Sequence, residues 1–143
     1  MEGGQTNEFR PLILVAEDDD SNFKLIKAII GKKCDIQWAK NGEEIVALFK
    51  EYGNEAKAIL MDIKMPVMNG LDATKIIRGE NKEIPIIMQT AYAFSSDKEN
   101  AMNAGASEVL VKPITLSILR NTLDEVFPRT GLVNRFSFFC PVD

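Results

Sequence analysis

The residues able to do chemistry here are few and widely spaced. Glu17-Asp18-Asp19-Asp20 is an unbroken acidic run, Asp62 closes an apolar stretch, Thr90 closes another, and Lys112 precedes Pro113. The chain contains 0 histidines. Ser-His-Asp and Cys-His catalysis, histidine general bases and histidine metal ligands are therefore excluded. What remains is carboxylate, hydroxyl and lysine chemistry with a hard metal. A nucleotide- or flavin-binding turn needs glycines or hydroxyls, so that backbone N–H groups can approach a phosphate. Four consecutive acids would repel that phosphate and attract a divalent cation with oxygen ligands instead. Taken singly each residue has an ordinary reading: a solvated acidic turn, a turn aspartate before Pro66, a strand threonine, a surface lysine.

The elements that must position these residues change that weighting. Short apolar runs at Leu12–Ala16, Ala58–Met61, Ile84–Thr90 and Val109–Val111, with a weaker mixed run at Asp35–Ala39, read as strands. Pro85 is tolerable near a strand start. Helical spacing fills the gaps. Phe23, Ile26, Ile29 and Ile30 share a face, with Gly31 placed to end the helix. Asn41 with Glu44, Asn69 with Asp72, and Ser96 with Glu99 give start signals, the last before Met102 in a short, weakly apolar helix. Thr115 can cap a final helix whose Leu116, Leu119, Leu123 and Val126 face the core, and Pro128 ends it. Strict alternation predicts a doubly wound α/β fold with one five-stranded parallel sheet. Ligands in such sheets gather beyond the carboxyl ends of the strands. Glu17, Asp18, Asp62, Thr90 and Lys112 all fall there. Carboxylates about 4 Å apart at Asp18 and Asp62 would repel by roughly 4 kcal/mol at an effective dielectric of 20, which a cation such as Mg²⁺ relieves. A phosphoryl group on Asp62 would suit the mixture, with the metal, Lys112 and Thr90 each taking one oxygen.

Composition sets outer limits. With 143 residues, 45% hydrophobic and 27% charged, the chain suits one globular domain. Net charge is −4, so it lacks the basic surface that nucleic-acid backbones require. No apolar run reaches the length of a membrane span, and Cys34 and Cys140 read as free thiols of a reducing, cytoplasmic compartment. Residues 1–10 read as a flexible leader, 11–128 as the domain, and 129–143 as a tail of unplaced role containing Phe136-Ser137-Phe138-Phe139.

The stretches ILVAEDDDSN, MDIKMPVMNGLDATKIIR, PIIMQTAYA and AGASEVLVKPI resemble, in order and spacing, the receiver domain of two-component response regulators. The resemblance runs from about Leu12 to Phe127, and MDIKMPVMNG is most similar to receivers of hybrid sensor histidine kinases. It implies a flavodoxin-like sheet in the order 2-1-3-4-5, with Asp62 as phosphoacceptor. Asp18 and Asp62 would ligate Mg²⁺ directly, Glu17 through water, and the Lys64 backbone carbonyl would add a ligand. Lys112 would contact the phosphoryl group, next to a cis Lys112–Pro113 bond, and Thr90 would move toward it as the switch. Two features depart from the pattern, at three positions. Val109 stands where many receivers carry Tyr or Phe, and Lys64 and Tyr92 are large at the positions that flank the hydrolytic water.

The resemblance also implies partners: a histidine kinase or histidine phosphotransfer domain supplies the phosphoryl group, and a phosphorylation-dependent dimer is allowed. The chain is then no enzyme but a phosphoacceptor that promotes its own phosphotransfer, with no nucleic-acid contact and no membrane insertion. Phe23 is either core or part of the partner surface, its amphipathic spacing favouring core. A degenerate receiver acting by contact alone is the rival binding reading, opposed by the complete acid–acid–Thr–Lys set. An aspartyl-phosphate phosphatase is the rival enzyme reading, opposed by Lys64 where an acid would be needed.

Overall fold

The computed structural model describes residues 10–92 and 96–126. The leader up to residue 9, Pro128, Cys140 and the phenylalanine-containing tail lie outside the described residues. The order is β1 (Leu12–Ala16), α1 (Asp20–Ile30), β2 (Asp35–Ala39), α2 (Gly42–Tyr52), β3 (Ala56–Asp62), α3 (Gly70–Glu80), β4 (Ile86–Thr90), α4 (Asp97–Ala104), β5 (Glu108–Val111) and α5 (Leu116–Val126). The strands form one parallel sheet, β2-β1-β3-β4-β5, as the resemblance implied.

Both faces of β1, β3 and β4 are covered, which is why these strands are continuous apolar runs while the edge strand β2 is mixed. Leu14, Met61 and Met88 point into one core with Ile45, Ala73 and Ile77; Ile13, Leu60 and Ile87 point into the other with Ile26, Leu119 and Leu123. Phe23 is buried in the second core with its ring stacked on Trp38, centroids 3.9 Å apart, so the core reading of Phe23 holds.

Local signals mostly act as the sequence indicates. Asn41 accepts from the Glu44 N–H (2.9 Å) while Glu44 reaches back to the Lys40 N–H (2.8 Å). Asn69 caps α3 through the Asp72 N–H (2.9 Å), and Thr115 caps α5 through the Ile118 N–H (3.2 Å). Other expectations are corrected. Ser96 makes no side-chain cap, because its backbone is already helical. Gly31, by contrast, does end α1 as its place in the sequence indicates, at φ −65° and with its N–H donating to the Lys27 carbonyl. Leu116 is 45% exposed, because it lies in the first turn of α5, before that helix settles against the sheet through Leu119. Met102 is exposed, and α4 packs through Ala101 and Ala104.

Candidate phosphoacceptor site

Each strand end delivers a group to the same edge of the sheet. Glu17 leaves β1 fully buried, Asp62 ends β3 at 5% exposure, Thr90 ends β4 at 2%, and Lys112 follows β5. Parallel neighbours in register force the convergence: Ala16 pairs with Met61, and Asp62 with Gln89. The acidic run then divides. Asp19 turns back to cap α1, accepting from the N–H groups of Ser21 (2.7 Å) and Asn22 (3.3 Å). Asp20 faces Lys40 at 3.4 Å. Glu17 and Asp18 stay beside Asp62, with carboxylate oxygens of all three within 4.8 Å of one another.

Lys112 Nζ lies 3.2 Å from Asp62 Oδ2 and 3.4 Å from Glu17 Oε1. The second contact is an ion pair without hydrogen-bond geometry, so Glu17 Oε1 is buried with no hydrogen bond, while Oε2 accepts from the Asp19 N–H at 3.2 Å. Burial pushes Glu17 up to about 7, helped by the adjacent Asp62 carboxylate and opposed by Lys112. Asp62 is also raised by burial, against the pull of Lys112. Burial alone would lower Lys112; Asp62 and Glu17 outweigh it and hold the ammonium above its ordinary value. Three acids facing one cation leave the site electronegative, and the orphaned oxygen of Glu17 fits a divalent cation well.

A cavity of about 220 Å³ opens over this cluster, its rim including Asn22, Lys64, Gln89, Thr90 and Tyr92. Lys64 Nζ sits 5.3 Å from the centre of the Tyr92 ring. The Thr90 hydroxyl donates to Asp97 Oδ2 (3.1 Å) and accepts from the Tyr92 N–H (3.1 Å), so it is turned toward α4. The Lys112–Pro113 bond is cis. Gly70, at the start of α3, passes so close to the Asp62 carbonyl that a Cβ there would collide with it; its N–H donates to the Ile63 carbonyl at 2.8 Å. A larger hollow of about 520 Å³ lies at the opposite ends of the strands, between Gly53 and Pro85, away from the Asp62 cluster; Lys57, Glu80, Lys82 and Glu83 are among its lining residues.

Sequence patterns did not single out several contributors. Trp38 Nε1 donates to the Glu17 carbonyl at 2.8 Å, tying the acidic turn to β2. Arg78 bridges α3 to the start of β5 through the Gly105 carbonyl (2.8 Å) and Ser107 Oγ (3.3 Å). Arg10 donates to Asp35 and to the carbonyls of Gly31, Lys32 and Cys34. Gln89 is buried beside Asp62, and the one available signal was an amide inside the run Ile86-Ile87-Met88-Gln89-Thr90.

Residues 13–124 match the family model described as response regulator receiver domain. The chain belongs to this receiver family. The receiver is 39% identical over 120 residues to hybrid signal transduction histidine kinase I of Dictyostelium discoideum, covering 78% of this chain and 7% of that protein. It is 32% identical over 126 residues to the histidine-protein kinase BarA of Escherichia coli K12, covering 86% of this chain and 14% of that protein. The receiver thus spans a small part of these relatives. Among solved structures, the receiver domain of sensor histidine kinase PA1611 from Pseudomonas aeruginosa superposes with a TM-score of 0.78 at 30% identity, covering 84% of this chain and 99% of that one. That structure has a magnesium ion coordinated in its active-site cleft. A receiver from Clostridium thermocellum matches with a TM-score of 0.79 at 25% identity, over 85% and 97% of the two chains. Among the described residues, no helix is long and apolar enough to cross a membrane.

Proposed function

We propose that this receiver accepts a phosphoryl group on Asp62 from a histidine of a kinase or histidine phosphotransfer domain. The observation that carries the reading is Lys112 Nζ at 3.2 Å from Asp62 Oδ2, beside two further acids at the carboxyl edge of the sheet. An Asp62 carboxylate oxygen attacks phosphorus, and the bond from phosphorus to the donor imidazole nitrogen breaks. The bonding electrons stay on that nitrogen, which takes a proton from water. Asp62 must be ionised to attack, and Lys112 favours that state against the cost of burial. The donor lies outside this histidine-free chain.

Glu17, Asp18 and Asp62, with the Lys64 backbone carbonyl, would hold Mg²⁺. Bound there, the ion neutralises the acids and charge on the phosphoryl oxygens. Lys112 takes a second oxygen. Thr90 reaches a third by giving up Asp97, and this rearrangement carries the signal into α4 and the loop after β4, where a phosphorylation-dependent dimer can form. Chemistry here is positioning and charge stabilisation by the acceptor itself, in the cytoplasm, with no other substrate turned over.

Acetyl phosphate with Mg²⁺ tests the assignment. The intact protein is expected to take up one phosphoryl group and Asp62→Asn none, with its melting curve preserved because the change is nearly isosteric. Uptake by Asp62→Asn at normal stability would place the acceptor elsewhere.

A further inference from the structure

Gln89 lies directly across from Asp62 in the pairing of β3 with β4, on the same face of the sheet. It is 1% exposed and lines both the cavity over Asp62 and a narrow crevice between α1 and the loop after β5, beside Asn22, Ile26, Lys112 and Ile114. Among the described residues, its Nε2 is one of only two buried side-chain atoms with no hydrogen-bond partner, the other being Glu17 Oε1. The backbone of Gln89 is occupied, its carbonyl accepting from the Ile63 N–H at 3.1 Å. The side chain therefore does no structural bonding through Nε2, and the packing below it is apolar, with Leu60, Ile87 and Ile114 in the same core. An apolar residue would fill this position without stranding a donor. A buried N–H kept without a partner points to an acceptor that is present only in another state of the molecule.

Resting on the reading of Asp62 as phosphoacceptor, we propose that Gln89 is a further phosphoryl-contact residue, its Nε2–H donating to a phosphoryl oxygen carried by Asp62. That group brings three acceptor oxygens into the cavity that Gln89 lines. The Thr90 hydroxyl is engaged with Asp97 and must turn before it can help. Gln89 needs no such rearrangement. It is a buried neutral donor already lining the cavity, and it complements Lys112 without adding a second buried charge. Its hydrogen bond holds the new phosphoryl group during the interval before Thr90 arrives.

The test uses Gln89→Met, close in shape and lacking the donor, and Gln89→Glu, equal in length but repelling an anion. Labelling by acetyl phosphate and binding of beryllium trifluoride with Mg²⁺ are measured alongside melting temperature. Gln89→Met is expected to melt at or above the parent temperature yet to weaken labelling and mimic binding by about tenfold, the scale of one hydrogen bond to an anion. Gln89→Glu is expected to lose more. In the unmodified protein, the Gln89 side-chain amide resonance, assigned by its absence from Gln89→Met, should move downfield and exchange more slowly when the mimic is added. Normal labelling and mimic binding in Gln89→Met, or an unmoved amide resonance, overturns the role of Gln89 while Asp62 stands. Absence of labelling in the unmodified protein overturns both.

Discussion

Val67 lies five residues beyond Asp62 with φ at 70°, a left-handed conformation that a β-branched side chain resists. The Met68 N–H donates across it to the Pro66 carbonyl at 2.7 Å, an i to i+2 bond of the γ-turn kind, and the Met68 carbonyl then accepts from the Gly42 N–H at 2.8 Å. The turn is thus clamped from the α2 side, and the strain at Val67 persists because its neighbours fix it. Its side chain is 73% exposed, so truncation removes little buried area. Holding such a residue left-handed costs about 1–2 kcal/mol. Val67→Gly relieves that cost but adds about 0.5–1 kcal/mol of unfolded-chain entropy. The net gain is about 0.5–1 kcal/mol, or roughly 1–4 °C in melting temperature for a domain of this size. Val67→Ala, which keeps a Cβ, should gain less than Val67→Gly. Calorimetry of the three proteins in one buffer decides the matter. A Val67→Gly protein melting at or below the parent would show that the turn is not strained and refute the reasoning.

Other outcomes follow from the acidic pocket. Millimolar Mg²⁺ should raise the melting temperature of the parent and not of Asp18→Ala, since a ligand bound only by the folded state stabilises it; an unchanged parent curve removes the metal assignment. In metal-free buffer Glu17 keeps its proton in the folded chain up to about 7, whereas its ordinary value is 4.5. The folded state therefore holds the extra proton between those values, and stability should fall as pH rises through that window by at most about 3 kcal/mol. Glu17→Gln should flatten the fall in melts from pH 5 to 8, and an equally steep variant would refute this. Finally, Lys64 and Tyr92 meet at the cavity rim, and on the proposed reading they would crowd the approach of hydrolytic water. The aspartyl phosphate should decay slowly, and faster in a Lys64→Asn, Tyr92→Glu double variant; equal decay after removal of acetyl phosphate would dismiss the effect.

Much of this architecture was legible because local and tertiary preferences agree. Buried parallel strands require apolar runs such as Leu12–Ala16, and helix starts announce themselves through Asn41, Asn69 and Thr115. Glu17, Asp62, Thr90 and Lys112 could be brought together on paper because a parallel sheet aligns its strand ends. The failures were local. Ser96 has the residue type of a cap but not the backbone, and Leu116 has the right spacing but sits a turn too early to reach the core. Gln89, Trp38 and Arg78 were hidden for a different reason. Their roles depend on what faces them across the sheet or across a loop, and one-dimensional periodicity carries no information about that.

The bond from the Trp38 indole to the Glu17 carbonyl has an optical consequence. The chain has 1 tryptophan, so its long-wavelength emission comes from one ring. That ring is stacked on Phe23, has Lys40 Nζ 4.7 Å from its centre, and is tethered to the backbone of the acidic turn. Charge arriving beside Glu17 changes the field at the indole without any label being attached. The molecule thus carries its own fluorophore wired to the pocket, and its emission gives a direct titration signal for whatever enters there.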